Sequence, residues 1–256
     1  MTHSRRRTVV RSLLAGGAVL SLGAVGKSLA ASAGPACPAL PGETSGPFPA
    51  DGSDLHHGGR VPNVLATPGI VRQDIRPSFD TSSTVAAGVP LRLQLTLLAI
   101  SRACRPLADF AVYLWNCNRD GDYSLYGRGI EHENYLRGVQ FTDHEGRVAF
   151  QTIFPACYSG RYPHLHVEIF KQGARLLDAT TRVLTTQLTA PREVCTRVYA
   201  KAPGYTRSAA QFKGLLPGDD MVFAASSRAE LALQTLVITG GVGAGFTGRA
   251  ALGIRA

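Results

Sequence analysis

The sequence is most informative first in what it does not contain. No C-x-x-C pair is present, so the usual sequence sign of a structural zinc site is absent. No long run of Lys or Arg occurs, and the formal charge of +9 is deceptive. Residues 1–33 hold Arg5, Arg6, Arg7, Arg11 and Lys27 and no acid, which leaves 22 basic against 18 acidic side chains in the rest. A remainder of +4 without clustering shows no nucleic-acid footprint. There are no internal repeats, no sign of a second domain and little helical periodicity. Charged residues make up 18% and hydrophobic ones 45%, which suits a globular chain and excludes a disordered one.

What the N-terminus does contain is a basic start, an apolar stretch from Leu13 to Val25 and then Ala31-Ser32-Ala33, the A-x-A form of a signal-peptidase site. The apolar stretch is too short for a bilayer span, so no stable membrane anchor is expected. Arg6-Arg7-Thr8-Val9-Val10 has the look of a twin-arginine signal, and the chain is expected to be exported and cleaved near Gly34. Five cysteines follow: Cys37, Cys104, Cys117, Cys157 and Cys195. An oxidising compartment permits disulfides, and the odd count leaves at least one thiol unpaired within the chain. Cys104 with Cys117 and Cys157 with Cys195 are pairings to consider, but pairing cannot be read from sequence.

Residues 34–88, rich in Pro, Gly, Ser and Asp, form an expected irregular arm, followed by one domain over 89–256. Leu91, Leu93, Leu95 and Leu97 alternate with Arg92, Gln94 and Thr96, which is a strand pattern. Further strand-like runs lie at 110–116, 147–153, 164–170, 176–185, 230–238 and 245–254, and one helix is expected from Pro191 to Tyr199. Seven or eight strands with almost no helix predict an all-β, antiparallel sandwich.

The chemistry concentrates in Pro163-His164-Leu165-His166-Val167-Glu168-Ile169-Phe170. On a strand, Leu165, Val167 and Ile169 share one face, and His164 and His166 share the other, where two imidazoles can converge on a metal. Upstream, Pro155 and Gly160 mark a loop bearing Tyr158 and Arg161, and Tyr123 sits in a second turn-like segment, with Tyr126 and Tyr135 as competing phenols. Trp115, Tyr113 and Leu114 are expected to pack in the sandwich, Tyr162 to border the pocket, and His56, His57, His132 and His144 to be solvated.

The stretches CRPLADFAVYLWNCNRDGDYS, ENYLRGVQFTDHEGRVAFQTIFPACYSGRYPHLHVEIF and TTQL, together with ETSGPFPADGS, resemble the intradiol ring-cleavage dioxygenases, the group that includes catechol and protocatechuate dioxygenases. The resemblance is nearest to their small exported relatives and spans nearly the whole chain after residue 33. It implies an iron(III) ion held by Tyr123, Tyr158, His164 and His166, and a catechol substrate opened with O₂ to a muconate-type dicarboxylic acid. It also implies that Tyr158 gives way to substrate and accepts a proton from it, that Arg161 stabilises charge on the ring and that Gln187 stands near the same pocket. Asn116 and Asn118 stand where relatives often carry His and Asp, which implies tuning of the site and not its loss. The chemistry is coherent, because phenolate oxygen is a hard anionic donor for a hard ferric ion, whose charge makes tyrosine ionisation feasible at neutral pH. Two other readings stay open: a sandwich that binds without turnover, and a zinc hydrolase built on His164 and His166. The second lacks a third His or carboxylate ligand and leaves the tyrosines without a task.

Overall fold

The computed structural model describes residues 37–53, 61–80, 82–173 and 180–256. The signal segment, His56, His57 and the first residues of the strand candidate at 176–185 lie outside them. Residues 34–256 form one compact unit. Among the described residues nine strands make two sheets. They are β1 (Pro90–Ala99), β2 (Arg105–Pro106), β3 (Ala111–Trp115), β4 (Arg137–Phe141), β5 (Arg147–Ile153), β6 (His164–Phe170), β7 (Arg182–Thr189), β8 (Val237–Gly241) and β9 (Gly245–Ile254). The first sheet runs β2-β1-β9-β8, with β5 paired to β1, and the second runs β4-β3-β6-β7. Pairing is antiparallel except between β1 and β9, which run parallel.

The alternation in β1 does what its sequence requires. Leu91, Leu93, Leu95 and Leu97 are buried and meet Val148, Phe150 and Leu252 from their own sheet. Val112, Leu114, Leu165, Val167 and Ile169 close the same core from the second sheet, which makes the fold a sandwich. Strand β6 is buried along both faces. Its other face lies under a second apolar cluster of Ala111, Tyr113, Trp115, Val139 and Tyr123, to which the arm contributes Ala50, Val64 and Ile70. Tyr113 and Trp115 belong to this outer layer and not to the layer between the sheets, whereas Leu114 does pack there.

The arm is irregular but firmly held. Arg72 N donates to the Val139 carbonyl, Ile75 N to the Gln151 carbonyl, and Gln151 N returns a bond to Gln73. Cys37 and Cys104 form a disulfide, tying the start of the arm to the turn after β1. The pairing of Cys104 with Cys117 is therefore excluded, because Cys104 is taken. Cys157 and Cys195 are free, as is Cys117, and all three are buried.

Helix is more plentiful than expected. Helix α1 (Arg192–Lys201) matches the expected one; α2 (Thr206–Phe212) and α3 (Arg228–Gln234) were not legible as helices. The strand expected at 230–238 is corrected by α3, whose start is fixed by a capping box. Ser227 Oγ accepts from Glu230 N, and Glu230 accepts from Ser227 N, so the backbone turns helical before the strand can begin at Val237. Helices α1 and α2 close one end of the sandwich. Tyr199 Oη donates to the Pro155 carbonyl and Tyr205 Oη to that of Phe154, which anchors the loop leading to Tyr158. Among the described residues no helix is long and apolar enough to cross a membrane.

Candidate metal centre

Four side chains from three segments converge on the outer face of β6. Strand geometry puts His164 and His166 on that face, opposite Leu165 and Val167, and both rings are buried. Tyr158 enters from the loop before β6. Arg161 N donates to the Tyr158 carbonyl, closing a four-residue turn with Gly160 at φ +72°, and this turn delivers both Tyr158 and Arg161 to one side. Tyr123 comes from the turn after β3. Asn118 Oδ1 accepts from the backbone N–H groups of Asp120 and Asp122, shaping that turn. Gly121 sits there at φ +92°, and a Cβ on it would stand 3.1 Å from Tyr158 Cβ, so the two tyrosine loops can meet only over a glycine.

The resulting distances are short. Tyr123 Oη lies 3.1 Å from Tyr158 Oη, 3.3 Å from His164 Nε2 and 3.0 Å from His166 Nε2. Tyr158 Oη is 3.2 Å from His164 Nε2, and the two imidazole Nε2 atoms are 3.1 Å apart. These five contacts cannot all be hydrogen bonds. His164 Nδ1 lies 2.6 Å from the Tyr162 carbonyl, which can only accept, so Nδ1 carries the proton and Nε2 presents a bare lone pair. Burial, followed by the charge of Arg161, holds His164 well below the usual histidine range and thus neutral; burial and His164 do the same to His166. Two phenol protons and at most one on His166 Nε2 leave at least two contacts in which lone pairs face each other. A cation at the centre turns that repulsion into coordination.

The donor set therefore fits a metal, and its two phenols narrow the choice. Without a cation, burial pushes both Tyr123 and Tyr158 above the usual tyrosine range. A highly charged, oxygen-seeking ion is needed to ionise them. No group of three or more His, Cys, Asp or Glu side chains that could hold a metal occurs among the described residues, so the zinc-hydrolase ligand set finds no support there.

The surroundings fix these four groups. Trp115, paired with His166 across β3 and β6, stacks on its ring at 4.7 Å and 6°. Phe48 from the arm packs on Tyr123 at 5.0 Å. Arg137 is buried and spends its donors on the Phe48, Pro49 and Ser124 carbonyls, Ser124 Oγ and Tyr113 Oη, so it clamps arm and Tyr123 turn to β4. Tyr126 Oη accepts from Ala50 N, and Tyr135 lies by Asn118, so neither competing phenol joins the cluster. Asn116 accepts from Thr152 Oγ1 and is structural. His132 and His144 are solvent-exposed, as expected.

Tyr162 is a correction. It is 1% exposed, belongs to the inter-sheet core and packs on Phe212, so it does not border the pocket. Three buried polar atoms at or near the site have no partner among the described residues, Trp115 Nε1, His166 Nδ1 and Glu168 Oε2. Glu168 is pushed up to about 7 by burial and by Asp51, against the opposing pull of Arg182.

Arg161 and Gln187 stand together. Arg161 Nη2 donates to Gln187 Oε1 at 2.5 Å, and Gln187 Nε2 donates to the Thr44 carbonyl. Gln187 is fully buried behind the arginine, so it positions Arg161. A residue that sequence reasoning missed completes the group. Asp220 accepts from Arg161 Nε at 2.9 Å and is itself fully buried. Nothing in the loop Pro217-Gly218-Asp219-Asp220 marks its second Asp as such in the sequence. A cavity of about 480 Å³ opens beside these groups, lined among others by Phe48, Tyr158, Arg161, Asp220, Met221 and Ala224. A larger depression of about 670 Å³ lies on the first sheet around Arg147 and Arg249, away from the ligand cluster.

The Dioxygenase_C family model, described as Dioxygenase, matches residues 76–170, a span that contains Tyr123, Tyr158, Arg161, His164 and His166. No curated protein matches the chain. Among solved structures, the chain is similar to an intradiol ring-cleavage dioxygenase from Tetranychus urticae, with 22% identity, a TM-score of 0.61, and 85% of this chain and 94% of that one covered. A second dioxygenase crystal structure gives 21% identity and a TM-score of 0.62 over the same shares. The dioxygenase domain of a carbohydrate-binding fusion protein from Streptomyces sp. SirexAA-E gives 23% identity and a TM-score of 0.47, covering 84% of this chain and 97% of that one. The fold is thus the one seen in intradiol ring-cleavage dioxygenases, and the family model matches the segment that carries all four clustered side chains.

Proposed function

We propose that this chain is an iron(III)-dependent intradiol dioxygenase that opens catechol-type rings with O₂ to muconate-type dicarboxylic acids. The observation that carries the proposal is the close packing of Tyr123 Oη, Tyr158 Oη, His164 Nε2 and His166 Nε2, which only a cation reconciles. When bound, the ferric ion supplies a template for the diol and activates the ring toward O₂.

The two tyrosines have different tasks. Tyr123 is 3% exposed and enclosed by Phe48 and His166, so it stays in place. Tyr158 borders the cavity, and once ionised by the bound metal its phenolate would accept a proton from an arriving catechol hydroxyl. Arg161, fixed by Asp220 and Gln187, lines the cavity beside Tyr158, where the oriented dipole of the pair polarises the ring. Phe48 shields the Tyr123 side of the site from water. Export through the twin-arginine route belongs to the same proposal, and the Cys37–Cys104 disulfide supports an oxidising destination.

The test is oxygen uptake by iron-loaded protein with a panel of catechols, with products followed in the ultraviolet. Stoichiometric uptake with a muconate-type absorbance supports the proposal. A red protein that consumes no O₂ with any catechol would replace it with a binding role.

A further inference from the structure

Arg161 is the one cation among the described residues lining the cavity, and it is not available to a ligand as a free charge. Its Nε donates to Asp220 Oδ2 at 2.9 Å and its Nη2 to Gln187 Oε1 at 2.5 Å. Asp220 is held just as closely. Oδ2 also accepts from Tyr162 N at 2.6 Å, and Oδ1 accepts from Val222 N at 2.8 Å and Phe223 N at 3.1 Å. With four donors on one carboxylate, both partners are fixed in place, and the pair is 7% and 0% exposed. Such a pair contributes orientation and a local dipole to the cavity but little net charge.

The rest of the lining adds no positive charge. Pro47, Phe48, Met221 and Ala224 are apolar, and Asp219 places an exposed carboxylate among them. Met221 is 80% exposed, an adaptable apolar side chain left in solvent at the cavity wall. A ring substituent bearing a carboxylate would lose water on entering and find no unpaired cation in return, with Asp219 opposing it. An alkyl or aryl substituent would lose nothing polar and would cover Met221 and Phe48.

We propose that this site selects catechols with uncharged, apolar substituents over carboxylated ones, and that Asp220 sets the preference by anchoring and neutralising Arg161. The proposal rests on the dioxygenase reading for its substrate class, but it concerns the charge of the cavity.

Two measurements on the iron-loaded protein test it: kcat/KM from oxygen uptake, and binding by calorimetry with O₂ excluded. The ligands are 4-methylcatechol, 4-tert-butylcatechol and 3,4-dihydroxybenzoate. Wild type should favour the alkylcatechols by at least about tenfold in both measurements, the scale of an uncompensated charge in a binding site. Asp220→Asn frees Arg161 and should shift the ratio toward the benzoate by about tenfold, whatever it does to the absolute rate. Met221→Lys adds a cation at an exposed position without touching the clamp, and it should move the ratio the same way, which keeps the test in force if D220N folds poorly.

Equal or better use of the benzoate by wild type overturns the proposal, as does an unchanged ratio in both variants. If no catechol is turned over but alkylcatechols still bind preferentially, the dioxygenase reading fails while the charge selectivity stands. If no catechol binds, both fail.

Discussion

At the scale of single residues, His164 and Arg137 show how the proposed metal site would be held ready. His164 cannot turn its bare nitrogen elsewhere, because its other nitrogen is committed to the Tyr162 carbonyl at 2.6 Å. Arg137 holds the backbone on either side of Tyr123's contacts, through Ser124 and Phe48. Its guanidinium satisfies three carbonyls and two hydroxyls in a buried position, a pattern that only a planar five-donor group can meet. Arg137→Lys should therefore lower stability by about 2–4 kcal/mol in denaturant unfolding, since several buried acceptors lose charged donors. It should also weaken iron retention in a chelator competition, because the Phe48 and Ser124 backbone would no longer hold the Tyr123 turn. Unchanged stability together with unchanged retention would show that the clamp is not what fixes the site.

At the scale of elements, the legible parts were those whose side chains obey one rule at a time. Strand β6 was readable, histidines and all, because its period of two survives burial on both faces. Strand β1 was equally clear. Strand β4 was not, because buried Arg137 and the small Gly138, which fits under Ile75 of the arm, interrupt its apolar pattern. Helix α3 was mistaken for strand because Leu231 and Leu233 alternate locally, while the capping box at Ser227 and Glu230 decides the backbone. The clustering of Tyr123, Tyr158, His164 and His166 was legible through family spacing; Asp220 and Phe48 were not, because their roles depend on long-range contacts that no local pattern encodes. The arm, expected as irregular, turns out to be anchored residue by residue. Asp74 pairs with Arg76 through both carboxylate oxygens, at 2.9 and 2.7 Å, beside the bridge to Gln151. The Arg76 bond holds the Asp74 carboxyl below its usual 3.8, so the folded state keeps it ionised more readily than the unfolded chain does. Its contribution is complete above 3.8 and is lost as pH falls through the lower folded value. The melting-temperature gap between wild type and Asp74→Asn should accordingly be widest near neutrality and close on acidification. The half-exposed position keeps the gap small. A gap that widens in acid would contradict this assignment.

At the scale of the whole molecule, the arm is a structural half of the site and not a decoration. It supplies Phe48 over Tyr123, the Pro49 carbonyl to Arg137, and the Thr44 carbonyl behind Gln187. The Cys37–Cys104 disulfide closes a sequence separation of 67 residues at the head of this arm. In the chain-entropy view a loop of that length gives about 4 kcal/mol. Cys37→Ser should lose most of that in equilibrium unfolding under oxidising conditions and none of it in the presence of reductant, where wild type and variant should coincide. A deficit that persists under reduction would place the effect in packing and not in the cross-link.

The central claim is that Tyr123, Tyr158, His164 and His166 together hold a ferric ion. The most direct measurement is the visible absorption of purified protein beside its metal content, for wild type and for the Tyr123→Phe and Tyr158→Phe variants. The account predicts one iron per chain, a red to burgundy charge-transfer band from tyrosinate to iron(III), and a shift or loss of that band in each variant. A colourless protein fully occupied by zinc, or a band indifferent to both substitutions, would contradict it.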